Sequence, residues 1–247
     1  MMKAEKLIQQ YDSGSPILQF IAISVVILGT ILLMSTLNSA ITKIIDNFNY
    51  TKNILTGTKT AKRKLTYPGK NIKRSSDKQG GLEFTYSCWF YVDDWTYKVG
   101  QWKHIFHKGG ITHGPDSPDN TIIKCPGLWL DKNQNILHIY FNTFENTDEK
   151  VEIPNIPLGK WVCCIITAQG RNIDVYLNGE FVKRSVLTSL PRQNYGDITI
   201  TQSRGFSGYV SRFKYYNSVI SYSEIEDIVR FGPARTPCVD TGEVPPY

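Results

Sequence analysis

Leu158–Val186 reads LGKWVCCIITAQGRNIDVYLNGEFVKRSV. Trp161 to Ala168 is apolar at both alternating sets of positions, with Trp161, Cys163 and Ile165 set against Val162, Cys164 and Ile166. A strand with that pattern is covered on both faces. Gly170, Arg171 and Asn172 turn the chain. Ile173, Val175 and Leu177 then alternate with Asn172, Asp174 and Tyr176, the period of a half-buried strand. Asn178-Gly179 follows, the favoured pair for a two-residue type I′ hairpin, whose central positions both need positive φ. Phe181 to Val186 is the return strand. Three strands joined this tightly form an antiparallel meander, which predicts an all-β domain.

Two flanking segments extend the pattern, GGLEFTYSCWFYV (80–92) and GFSGYVSRFKYYNSVISYSEIEDIV (205–229). Together with the meander they resemble the laminin G / concanavalin A-like lectin and glucanase superfamily over roughly residues 60–233. The resemblance implies an antiparallel jelly-roll β-sandwich with a short C-terminal helix. It says less about function, because this fold serves lectins, glycanases and interaction modules alike. The chain departs from its relatives in the last strand, where Ser211-Arg212 stands in place of an acidic pair.

Ile17 to Leu37 (ILQFIAISVVILGTILLMSTL) lies in a charge-free stretch between Asp12 and Lys43. At about 1.5 Å per residue it spans roughly 30 Å, the thickness of a bilayer's hydrocarbon core. A signal peptide would have a shorter apolar run and a better cleavage site than Asn38-Ser39-Ala40. A transmembrane helix is therefore expected within residues 1–42, with Ser15-Pro16 at its start. A basic juxtamembrane linker is expected at 43–62, the sandwich at 63–233 and a Pro-containing tail at 234–247.

The formal charge of +6 is local. From Lys43 to Lys78 ten basic residues face only Asp46 and Asp77, and everything after Lys78 nets −2. A nucleic-acid-binding fold would spread positive charge over a folded face, so no nucleic-acid partner is expected. Lys59, Lys62, Arg63 and Lys64 are instead expected either at anionic lipid headgroups or in a solvated linker. The positive-inside rule tilts the folded domain toward the cytosolic side. Five cysteines, an odd number without paired metal spacing, read as small core residues.

Further strands are expected at 83–92, 103–108, 127–130, 136–142, 160–168, 197–201 and 206–216, and an edge strand at 67–74. Ser223 with Glu226 reads as the capping box of the closing helix. The glycanase branch would need Glu-x-Asp-x-x-Glu along one strand, so that one acid attacks while the other protonates the leaving oxygen. The chain has no such motif, and no catalytic residue is assigned. His104 and His107, three apart on a strand, are expected on opposite faces and unable to share a ligand. The loop Ile111 to Gly127 offers Asp116, Asp119 and Asn120 as hard oxygen donors. Ca²⁺ at this rim is the one cofactor the resemblance leaves open, against the plainer reading that such residues build turns. Trp95 and Tyr97, in a loop after Asp93-Asp94, are the expected exposed aromatic pair.

These readings converge on a non-enzymatic, single-pass membrane protein whose sandwich docks a partner. Short anchored proteins of this plan are similar to virion membrane or minor capsid proteins of large double-stranded DNA viruses. That likeness implies a lipid bilayer and capsid shell proteins as partners, with the domain facing the capsid from an inner membrane. A membrane-bound glycan-binding lectin is the alternative, and a glycoside hydrolase a remote one.

Overall fold

The computed structural model describes residues 16–48, 50–75, 77–78, 81–110, 117–119 and 123–246. The chain divides into two units, one ending at Phe48 and one beginning at Asn49. The first contains helix α1, Pro16–Phe48, which starts on the proline expected at its first turn. Its candidate membrane span, Gln19–Ile41, is 23 residues long and lies a few residues beyond the expected Ile17–Leu37 window at its C-terminal end. The hydroxyls within it bond back to helix carbonyls, Ser24 to Phe20 (2.8 Å), Thr30 to Ile27 (2.8 Å) and Thr36 to Leu33 (2.9 Å). A hydrocarbon surrounding would demand this, since it offers a hydroxyl no other partner.

The second unit is a sandwich of two antiparallel sheets. The first sheet runs β1 (Thr51–Thr60), β13 (Ser207–Tyr216), β4 (Gly81–Asp94), β9 (Trp161–Gln169), β10 (Asn172–Leu177) and β11 (Glu180–Val186), with the short β3 (Asp77–Lys78) paired to the start of β4. The second runs β2 (Leu65–Tyr67), β12 (Asp197–Ile200), β5 (Lys103–Gly109), β6 (Lys124–Leu130), β7 (Ile136–Phe141) and β8 (Glu149–Pro154). Phe84, Phe90, Val162, Ile166 and Phe213 from one sheet meet Phe106, Leu128, Leu130 and Ile139 from the other in a closed core. Each such side chain stabilises by roughly 1.5–3 kcal/mol relative to exposure. The hairpin is as expected: Asn178 (φ 52°) and Gly179 (φ 89°) connect Leu177 to Glu180.

Strand β9 is buried on both faces. Cys164 and Ile166 enter the main core, while Cys163 and Ile165 join a second cluster with Trp89, Tyr216, Ile220 and Ile225. Ile225 belongs to helix α2, Tyr222–Phe231, which lies over this outer face. The cap of α2 is Ser221, boxed with Glu224, two residues before the expected Ser223–Glu226 pair. Both pairs satisfy Ser-x-x-Glu, and burial of Ile225 selects the register. All five cysteines are buried and unbridged. Burial pushes their thiols up, those of Cys125 and Cys164 to about 12.

Three expectations are corrected. Residues 51–60 belong to the sandwich as β1, so the basic linker does not extend to 62. The 67–74 segment is a strand only to Tyr67, after which Gly69–Asn71 forms a single 3-10 turn. The Pro-containing tail is docked: Val239 N–H donates to Thr58 O (2.9 Å), and Trp161 Nε1 donates to Pro246 O (2.6 Å). Ala234 N–H donates to Ser211 Oγ (2.9 Å), and Thr58 Oγ1 donates to Ala234 O (2.9 Å). Ser211 therefore fastens the start of the tail to β13. Strand β8, outside the expected strands, pairs antiparallel with β7.

Gly208 of β13 has φ 143°, and a Cβ there would overlap the Tyr91 carbonyl oxygen. Because the obstacle is backbone of the neighbouring strand, Gly208→Ala is expected to lower stability by more than about 3 kcal/mol. Chemical denaturation of the variant checks this; an unchanged midpoint would refute the close approach of β4 and β13.

Candidate functional site

Among the described residues, those singled out from sequence do not assemble into one site. Asp119 is described and exposed, whereas Asp116 and Asn120 lie outside the described residues. No group of three metal-ligating side chains occurs among the described residues. Trp95 is half-buried against the main core, with Lys103 Nζ 4.9 Å from its ring centre, so it is not the exposed platform expected. Tyr97 is half-buried and takes Lys62 Nζ at 5.2 Å. The intervening loop is held by Asp94, whose Oδ1 accepts from Thr96 N–H (2.8 Å) and Thr96 Oγ1 (2.7 Å).

Lys59 is also displaced from its expected role. It is buried, not membrane-facing, and donates to Thr60 O (2.8 Å), Thr201 Oγ1 (3.2 Å) and Arg63 O, with Asp240 3.9 Å away. Burial lowers its ammonium to about 8, against the pull of Asp240. Lys62, Arg63 and Lys64 remain exposed on the following turn.

The outer face of the second sheet carries the densest polar and aromatic grouping. Between His104↔Trp129 and Phe106↔Leu128 the register of β5 and β6 slips at Ile105. This bulge returns His104 and His107 to the same face, correcting the opposite-face expectation. His104 Nε2 lies 2.8 Å from His107 Nδ1. Gln202 N–H donates to His104 Nδ1 (2.9 Å), so His104 carries its proton on Nε2 and donates onward to His107. His107 Nε2 in turn donates to Gly110 O (2.9 Å). The four groups form a one-way chain in which every ring nitrogen is used. Trp129 stacks on His107 at 6.0 Å and meets Tyr140 edge-on at 5.8 Å.

Beside them, His138 sits between Asp131 (Nε2–Oδ2 3.1 Å) and Glu152 (Nδ1–Oε1 3.5 Å), its ring against Tyr140 and Trp102. Burial lowers its titration despite both carboxylates. Amides of Asn133 and Gln134 overcome burial to hold Asp131 low, and Lys150 at 2.7 Å holds Glu152 low. Asp94 and Glu149 also titrate low: the hydroxyl and amide of Thr96 hold Asp94 down, and those of Thr188 outweigh burial at Glu149. A glycosidase's general acid needs the opposite, a carboxyl kept protonated near neutrality. At the rim, a cavity of about 530 Å³ is lined by Ile123, Asn142, Thr147, Arg192 and Tyr195 among others. Neither it nor the histidine row was legible in the sequence; two histidines three apart beside Gly109-Gly110 were the only signal.

A profile described as concanavalin A-like lectin/glucanases superfamily matches residues 66–226, well over half the chain. The chain belongs to this superfamily. No curated protein matches it. Among solved structures, this superfamily member is similar to the receptor binding domain of botulinum neurotoxin mosaic serotype C/D, with TM-score 0.52 and 9% identity over 76% of this chain and 47% of that one. The binding domain of botulinum neurotoxin serotype D/C gives TM-score 0.50 and 11% identity over 76% and 48%. The chain thus spans less than half of either domain, and at such identity the likeness is one of fold.

The histidine chain makes stability depend on pH. Burial lowers His107 to about 4 and His104 well below its ordinary value. Between the ordinary 6.5 and about 4 the unfolded chain binds protons that the folded one refuses, so stability falls as pH falls through that window. From pH 7 to 5 the loss expected for His107 alone is roughly 2 kcal/mol, with His104 adding in the same direction. Urea titrations across this range check it: His107→Gln should flatten the slope, and a wild type without the slope would refute the buried neutral pair.

Proposed function

We propose that this chain is a single-pass membrane-anchored, non-enzymatic binding protein that presents a lectin-like sandwich to a partner surface. One observation carries the reading: a 23-residue, largely apolar span suited to a bilayer lies in a helix that ends at Phe48, and a sandwich that closes its own core begins at Thr51. The low-titrating carboxyls support a binding role over glycoside hydrolysis. Lys62, Arg63 and Lys64 are exposed and suited to anionic headgroups or to an acidic partner. The finer reading is a minor capsid or membrane protein that tethers the inner membrane of a large DNA virus to its shell. An apolar span followed by a docking domain supports it.

The rim cavity of about 530 Å³, with amide, guanidinium and phenol groups on its wall, favours a glycan as the second reading. Two measurements separate these. Alkaline carbonate should leave the full chain in the membrane pellet and release a variant lacking residues 16–48; release of both would refute the anchor. Cross-linking in purified particles should join the sandwich to shell protein. Sugar binding on a glycan array that is lost in Arg192→Ala would instead favour the lectin.

A further inference from the structure

The outer face of the first sheet carries a second feature, a groove of about 130 Å³ between the sheet and α2. Its floor includes Trp89, Arg212 and Lys214, and its far wall is Glu224, Asp227, Ile228 and Phe231 of α2. Trp89 is 6% exposed, and its indole N–H finds no hydrogen-bond partner among the described residues. A buried donor left without an acceptor is destabilising unless something supplies one. Arg212 and Lys214 are half-buried beside it and make no ion pair among the described residues. Acids are close by on α2, but Glu224 is used in the capping box with Ser221, and Asp227 holds Arg230.

The backbone is bent to produce this arrangement. Trp89 pairs with Ser211 and Ser87 with Lys214, so Arg212 and Phe213 together oppose Cys88. Within that bulge Arg212 adopts φ 40°, a conformation a residue with a Cβ enters only under strain. Phe213 is sent into the core, while Arg212 and Lys214 both line the groove. Bulges commonly re-aim side chains in this way.

We propose that this groove binds the carboxylate of a Glu or Asp side chain on an acidic, partly apolar peptide segment of a protein partner. Arg212 and Lys214 supply the charge, Trp89 an unused donor at the floor, and Ile228 with Phe231, which is 67% exposed, an apolar flank for the next residue. The volume holds a side-chain head and its methylenes but is well below the roughly 300–1,000 Å³ of a site for a larger organic ligand. The proposal rests on the docking reading above and names its partner's chemistry. The two fail separately, since carbonate extraction tests the anchor and peptide titration tests the groove.

The test uses the full chain in detergent micelles and a fluorescein-labelled hexapeptide alternating Glu and Leu, read by anisotropy. Saturable binding is expected, lost with the Gln–Leu counterpart and weakened at least about tenfold by Arg212→Ala or Lys214→Ala. Lys160→Ala, an exposed cation elsewhere, should bind as wild type. Trp89→Phe should weaken binding without removing it. Arg212→Gly guards against a folding defect: glycine accepts φ 40° freely, so its melting temperature should equal or exceed wild type while binding is lost. No binding by wild type, equal binding of the Gln–Leu peptide, or full binding by Arg212→Gly would each overturn the proposal. Binding of sialyllactose with the same variant dependence, and none of the peptide, would assign the groove to an acidic sugar and overturn it too.

Discussion

Strand β9 has no face it can show to water. Cys164 and Ile166 on one side and Cys163 and Ile165 on the other are all buried, so the strand needs a layer above and a layer below. The second sheet supplies one and α2, through Ile225, supplies the other. Much of the architecture follows from that demand. The strand sits centrally, between β4 and β10, and the closing helix is capped by Ser221–Glu224 in the register that turns Ile225 inward. The groove at the edge of α2 is a by-product of covering β9 with a helix too narrow to cover β13 as well.

Several polar groups that the fold buries are held in closed networks. Lys59 has several oxygen acceptors, Ser211 and Thr58 share the chain at Ala234, and His104 and His107 pass hydrogen bonds in one direction from Gln202 to Gly110. These networks are structural, since each donor has an acceptor and none is left over for a substrate. The indole N–H groups of Trp89, Trp102 and Trp129 find no acceptor among the described residues, and that of Trp89 lies beside two cations that make no ion pair there.

The fold was legible where a residue's neighbours in sequence decide its fate. The two-sided apolar run of β9, the alternation of β10 and the Asn178-Gly179 turn each state their structure locally. Strand β1, TKNILTGTKT, was not legible, because Thr58, Lys59 and Thr60 are buried beneath residues near 240, far away in sequence. The histidine row was hidden by a single slipped residue at Ile105, which inverts every facing argument based on counting by two. Trp95 was misread for the reverse reason: loop residues beside Asp and Thr look exposed, yet this ring is drawn into the core edge. Ser-x-x-Glu occurs twice in SYSEIED, and only packing chooses between the copies.

The tail that lies along β1 has a bearing on how copies of this protein can meet. An exposed strand edge is a template for another strand, and a sheet with two such edges can be extended without limit. Here one edge of the first sheet is sealed from within, by the bond from Val239 to Thr58, while the opposite edge, β11, is exposed and carries Lys183 and Arg184. Strand addition at this sheet therefore has a single open terminus. Two crowded copies joined edge to edge through β11 would close the association between themselves, and neither would offer a place for a third. Through the described edges of this sheet, pairing at β11 uses up the open edge of each copy.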